Sequence, residues 1–179
     1  RGRADIVKAL LPKAKDINES NRWPHQTSLM LALRNGHGTV AKTLLRRMRD
    51  VDQADLHGDT PMHFAAENGL VGILQILLDK TKLINQPNQW GMTPLMLALR
   101  NGHAAAAMLL LWKIDDVDQE DVFGDTPLHY AALSGLVDAV KDILEKTKLI
   151  NKPNKNGDTP LMLAQRKGNS TVAKLIMSN

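Results

Sequence analysis

The sequence predicts an all-α solenoid of paired antiparallel helices with protruding β-hairpin or loop fingers, and three observations predict it. A Thr-Pro step, Thr-Ser in the first copy, recurs at an unbroken spacing of 33 residues, at Thr27, Thr60, Thr93, Thr126 and Thr159. Two sets of glycines keep the same period: Gly36, Gly69, Gly102, Gly135 and Gly168, and then Gly58, Gly91, Gly124 and Gly157. The composition suits close helix packing, since 43% of the 179 residues are hydrophobic and only 3% aromatic, leaving Ala, Leu, Ile and Met to fill the core. Repetition of this kind makes each copy a unit that buries its apolar face against its neighbours.

The elements follow in order within each copy. Thr caps the first helix by accepting from backbone N–H groups that lack a partner. Pro follows at the first helical position, where its missing N–H costs nothing. Small residues such as Ala65, Ala66, Ala131 and Ala132 let neighbouring helices approach closely. The first Gly then ends the helix in a left-handed conformation. A second helix carries paired apolar residues, as in Leu44-Leu45, Leu77-Leu78 and Leu110-Leu111. The chain next enters a polar hairpin around the second Gly. In the first hairpin, Asn18 to Gln26, there is one extra residue, and His25 replaces the turn Gly. A second period lies over the first. Copies starting at Thr27, Thr93 and Thr159 read Leu-Met-Leu-Ala, whereas those at Thr60 and Thr126 carry His63 and His129, so the duplicated unit was a pair of repeats, roughly 66 residues long.

With this period, Thr126-Pro127-Leu128-His129-Tyr130-Ala131-Ala132 resembles the ankyrin-repeat family, and Thr60 to Ala66 matches the same signature with Met62 for Leu. The resemblance covers essentially the whole chain. It implies a single ankyrin-repeat domain over residues 1–179, with a partial repeat at 1–18 and repeats near 22–54, 55–87, 88–120, 121–153 and 154–179. The partial repeat carries Ile6, Val7 and Leu10, an apolar face that a capping repeat would cover, so the chain is expected to be a fragment of a longer one that continues upstream. Family members usually follow the second helix with Gly-Ala. Here Met48-Arg49, Thr81-Lys82, Ile114-Asp115 and Thr147-Lys148 stand instead, so a longer or differently bent exit is expected.

The resemblance implies a non-enzymatic interaction module that binds a protein or peptide on the concave surface formed by the fingers and first helices. Carried over residue by residue, that surface comprises Trp23, Leu56, His57, Asp59, Trp90, Met92, Arg100, Val122, Phe123, Asp125 and Leu133. Hairpin tips run over the surface and are ordinarily polar. Trp90, Met92, Val122, Phe123 and Leu133 are nonetheless expected to form one continuous patch, and an apolar patch framed by charge marks a binding site. The competing reading packs Trp23 and Trp90 merely finger against finger. Trp112, at the end of a second helix, reads as structural or as a scattered surface residue. Two other functions stay open. The stretch would recruit substrates for a larger enzyme or a bacterial effector, or Arg34, Arg100, Arg166 and Lys167 on the first-helix ends would bind an anionic phosphate, lipid or nucleic-acid ligand.

A net charge of +4 is mild for a domain that grips nucleic acid, so nucleic acid is not an expected partner. No apolar run approaches the roughly 20 residues needed to cross a bilayer, and no membrane insertion is expected. The absence of cysteine rules out disulfides and thiolate metal sites and fits a reducing compartment. The chain is expected to be intracellular, cytoplasmic or nuclear, or in the host cytosol if it is a bacterial effector, and to be a monomer. No phosphate-binding Gly loop with its Lys and no His-Glu-x-x-His occurs, so no cofactor, metal or catalytic residue is expected. His63 and His129 are expected to face the capping Thr and to be structural, as are His37 and His103, while His25 and His57 lie on fingers. Asp59, Asp125 and Asp158 each precede Thr-Pro and read as turn residues or partner contacts rather than catalytic carboxylates.

Overall fold

The 33-residue period is realised as a helix, a tight turn, a second helix and a finger. A computed structural model describes residues 4–10 and 16–179, and among them eleven helices follow in chain order. The first helices of successive units are α2 (Ser28–Arg34), α4 (Pro61–Glu67), α6 (Pro94–Arg100), α8 (Pro127–Ser134) and α10 (Pro160–Arg166). The second helices are α1 (Ala4–Leu10), α3 (Gly38–Leu45), α5 (Val71–Leu78), α7 (Ala104–Leu111), α9 (Val137–Lys146) and α11 (Ser170–Met177). Each first helix packs on the next first helix and on the second helix of its own unit, and the second helices follow one another in the same way. The molecule is therefore a two-layered helical solenoid. On α1, Ile6 and Leu10 are exposed, in keeping with the apolar face anticipated there; the side chain of Val7 lies outside the described residues.

The core lies between the layers. Leu29, Leu33, Leu74, Leu95, Leu99, Leu110 and Leu111 are fully buried, and so are Ala65, Ala66, Ala98, Ala131 and Ala132, where helices approach most closely. Burying one such Leu contributes roughly 1.5–3 kcal/mol, against about 1 kcal/mol for a single hydrogen bond. Stability therefore comes chiefly from the layers, and the polar groups outside them set register.

Two kinds of cap alternate along the first helices. The hydroxyls of Thr27, Thr93 and Thr159 accept from the amides of Met30, Met96 and Met162 at 3.3, 3.2 and 3.3 Å. At Thr60 and Thr126 an imidazole intervenes. His63 Nδ1 accepts from the Thr60 amide at 3.1 Å and also meets its hydroxyl at 3.0 Å, and His129 repeats this with Thr126. With Nδ1 accepting, the ring proton sits on Nε2, which donates to the next finger: His63 to Met92 O and His129 to Asp158 O, both at 3.1 Å. Burial holds His63 down to about 4 and also lowers His129, so both rings are neutral near pH 7. These two histidines clip one unit to the next.

The exits from the second helices show the anticipated departure. Helix α9 runs ten residues where α3, α5 and α7 have eight. Met48 and Ile114, at positions where the family has Gly or Ala, are buried as plugs. Lys80 Nζ donates to Met48 O at 2.9 Å, and Lys146 Nζ donates to Leu111 O and Ile114 O at 2.6 and 2.7 Å. Each lysine thus places its cation at the open carbonyl end of the preceding second helix.

The fingers are loops. Among the described residues they contain no strand, and only an isolated bridge between Ser20 and Thr27 marks the first of them. The fingers are too short for a ladder: one backbone bond closes the base of each, as where Asp55 N donates to Asp59 O at 3.0 Å, and side chains complete the turn. In the first finger His25 takes up the left-handed conformation, φ 63°, that glycine adopts in the others.

Candidate functional site

One buried Asp or Asn organises each of the four fingers after the first from its base. Asp55 Oδ1 accepts from the amides of His57 and Asp59 at 2.9 and 3.0 Å, and Asn88 Oδ1 accepts from those of Trp90 and Met92, both at 3.0 Å. Asp121 and Asn154 repeat the arrangement with Phe123 and Asp125, and with Asn156 and Asp158. This side-chain mimicry of a backbone turn is what Asx residues supply. One backbone hydrogen bond then joins each finger to the one before it: Leu56 N to Pro24 O at 3.0 Å, and Gln89 N to His57 O, Val122 N to Trp90 O and Lys155 N to Phe123 O at 2.9 Å. The fingers approach so closely that a Cβ on Gly91 would lie 2.7 Å from Asp121 Cα, besides the strain of φ 74°.

The remaining atom of each organiser alternates in character. Asp55 Oδ2 receives Gln26 Nε2 at 3.0 Å, and Asp121 Oδ2 receives the Tyr130 hydroxyl at 2.5 Å. Asn88 and Asn154 instead donate Nδ2 to Asp59 and Asp125 Oδ1, at 2.8 and 2.7 Å. Sequence reasoning missed these four residues, although their signal was present: an Asp-Asn-Asp-Asn series, always five residues before the Thr.

Between the fingers and the first helices lies an open trough of about 370 Å³. Asp59, Asn88, Trp90 and Phe123 line it from three successive fingers, Met92, Leu97 and Tyr130 from below, and Glu67 and Arg100 from the ends of α4 and α6. Of the residues expected on a binding surface, five meet here: Asp59, Trp90, Met92, Arg100 and Phe123. Trp23, Leu56, His57, Val122, Asp125 and Leu133 lie outside its lining. Phe123 is 61% exposed and Trp90 42%, while Trp23 stands apart on the first finger at 74%. The Trp90 ring also leans on His57, with centroids 5.1 Å apart, so it packs between fingers and faces the trough at once.

The single exposed patch anticipated from Trp90, Met92, Val122, Phe123 and Leu133 is not what forms. Met92 is only 5% exposed. Its amide is held by Asn88, its carbonyl by His63, and its sulfur lies 3.4 Å from the Tyr130 hydroxyl, so the side chain packs under the finger. Leu133 is half-buried at the end of α8. Leu97 and Tyr130 were overlooked because they occupy the variable position of the ankyrin signature, which faces the trough.

Charge is unevenly satisfied. Arg34 Nη1 reaches Gln26 Oε1 at 3.5 Å, and Arg166 forms a two-pronged pair with Asp158. Arg100 occupies the same place in its unit, but Met92 stands where those acceptors stand, and among the described residues Arg100 has no ion pair. Burial and the neighbouring Asp55 push the Asp59 carboxyl up, and the Asn88 hydrogen bond opposes them. Burial and the Asp121 carboxylate push the Tyr130 hydroxyl up. No set of three or more His, Asp or Glu converges as a metal site among the described residues, and no described helix is long and apolar enough to cross a membrane.

The family model for ankyrin repeats (3 copies) matches residues 1–88, 81–153 and 108–179, which together take in the whole chain. The chain is an ankyrin-repeat protein. Ankyrin arrays are protein-interaction modules, generally non-catalytic, and present an extended surface to their partners. Over 67 residues this ankyrin array is 46% identical to a probable E3 ubiquitin-protein ligase of Oryza sativa subsp. japonica. Over the same length it is 45% identical to an E3 ubiquitin-protein ligase of Arabidopsis thaliana. Each match takes in 37% of the ankyrin chain and 13% of the relative.

Proposed function

We propose that this ankyrin array is a non-enzymatic module that holds a protein or peptide partner in the trough between its fingers and the helices α4, α6 and α8. The observation that carries the reading is the exposure of Trp90 and Phe123 side by side on consecutive fingers, over a floor already shaped by Met92, Leu97 and Tyr130. Aromatic side chains at the centre of a concave, charge-rimmed surface are the groups from which interfaces draw most of their affinity. The names of the two plant relatives support a second reading for the whole protein, in which the array recruits substrates to an enzymatic part. It uses the same trough.

Affinity capture from a cell lysate with the parent chain, a Trp90→Ala/Phe123→Ala variant and a Trp112→Ala control tests the site. Trp112 is 75% exposed on the second-helix layer, away from the trough. A partner retained by the parent and the control but lost by the double variant, at unchanged helical content, supports the reading. Retention by all three overturns it.

A further inference from the structure

We propose that the trough takes one arginine or lysine side chain of the partner, laid against Trp90 and Phe123 with its charge directed to Asp59 and Glu67. The inference rests on the trough being the partner-binding face and specifies the chemistry that it accepts.

Three observations converge on a cation. Two carboxylates and one guanidinium line the trough, and none of them belongs to the ion pairs found among the described residues, which join Lys141 to Asp138, Lys152 to Glu120 and Arg166 to Asp158. Asp59 receives one bond from a neutral amide, and the half-buried Glu67 carboxylate receives none among the described residues. Behind this rim, Asp55 and Asp121 are buried at the finger bases with donors that are all neutral. Their charge is oriented but not cancelled. Burial is the first cause of the upward shifts of Asp59 and Tyr130, and the carboxylates of Asp55 and Asp121 add to it in the same direction.

The walls suit the same occupant. Trp90 and Phe123 are exposed and line the trough, and a cation within about 6 Å of an aromatic centroid is attracted by the ring's quadrupole. The chain makes such a contact itself elsewhere, where Lys113 Nζ lies 4.2 Å from the Trp112 ring centroid. A trough of about 370 Å³ is near the lower end of ligand sites, which run from roughly 300 to 1,000 Å³; it admits a long side chain and not a helix.

Arg100 sets the sign of the test. It offsets Asp59 in part, because Met92 has removed the local acceptor that Arg34 and Arg166 each possess. A cationic guest therefore competes with Arg100, whereas a carboxylate guest would need it. Removing Arg100 moves the two affinities in opposite directions.

The experiment uses the whole chain and three nine-residue Gly/Ser peptides carrying a single central Arg, Lys or Glu. The indole N–H signal of Trp90, identified by its loss in Trp90→Phe, is followed by NMR during titration. The Arg and Lys peptides are expected to shift this signal with a Kd at least about tenfold below that of the Glu peptide. Glu67→Gln weakens them about threefold and Arg100→Gln strengthens them about threefold, the size expected for one solvent-screened charge pair. Preference for the Glu peptide, abolished in Arg100→Gln, overturns the proposal and leaves the trough standing as a carboxylate site. If no peptide moves the Trp90 signal, the trough reading falls together with the proposal.

Discussion

Asn88→Asp exchanges an amide donor for a carboxylate oxygen and alters almost nothing else, so it isolates the junction between two fingers. The two amides of Trp90 and Met92 keep their acceptor. The bond from Nδ2 to Asp59 Oδ1, 2.8 Å long, becomes an encounter of two carboxylates. At 4 Å, two unit charges at an effective dielectric of 20 repel by about 4 kcal/mol. Asp59 is partly exposed, and solvent screening brings the expected loss to about 2 kcal/mol at pH 7. Urea unfolding followed by circular dichroism measures it. Adding Asp59→Asn reverses donor and acceptor, and the double variant is expected to regain at least about 1 kcal/mol, a coupling typical of residues in direct contact. Acidification is a second check. Burial and Asp55 already hold Asp59 above its ordinary 3.8, and a second carboxylate raises it further. The folded variant then takes up a proton before the unfolded chain does, so its deficit shrinks as pH falls through that raised value. An Asn88→Asp midpoint equal to the parent's at pH 7, or no recovery in the double variant, would refute the reasoning.

Two further outcomes follow from the clips and the finger turns. His63 is held at about 4, below its ordinary 6.5, so on acidification the unfolded chain takes up a proton that the folded ring refuses. The contribution is complete above pH 6.5 and is lost as pH falls towards 4, by up to about 3 kcal/mol. Urea midpoints across this window are expected to fall more steeply for the parent than for His63→Gln, with His129 leaving a residual slope in both; equal slopes count against it. Gly91→Ala and Gly102→Ala both impose a left-handed conformation on Ala, at about 1–2 kcal/mol. Only Gly91 faces the backbone of the next finger, at 2.7 Å, while Gly102 has nothing within 4 Å, so thermal melts are expected to show a clearly larger loss for Gly91→Ala.

The parts of the fold that are local in sequence were legible before any coordinates. Thr-Pro caps, helix-ending glycines and apolar pairs each act within a few residues, and His63 is three residues from the Thr60 that it serves. His25 stood out as the odd residue in a glycine position and does hold a positive φ. What escaped was whatever depends on which unit faces which. Asn88 meets Asp59 across 29 residues, and Tyr130 reaches Met92 across 38. No spacing rule says whether a methionine at a finger's end turns outward or beneath it. Packing between fingers and exposure at the surface, which the sequence presents as rivals for Trp90, coexist in one ring that leans on His57 and lines the trough.

The alternation of finger organisers also dictates how such an array can change length. Each Asn organiser donates to a carboxylate of the finger before it, while Asp121 takes its donor from Tyr130 of its own unit, so it is the Asn fingers that depend on the identity of their predecessor. Excising residues 88–120 would bring the finger of Asp59 against that of Asp121, acid to acid, with the amide that separates them gone. Excising residues 88–153 would present Asp59 with Asn154, an amide of the same kind as the one it lost. A change in length by two units is thus expected to keep this junction, and a change by one unit to lose it. The molecule counts in couples, and its evolutionary ruler is marked at twice the interval that its helices suggest.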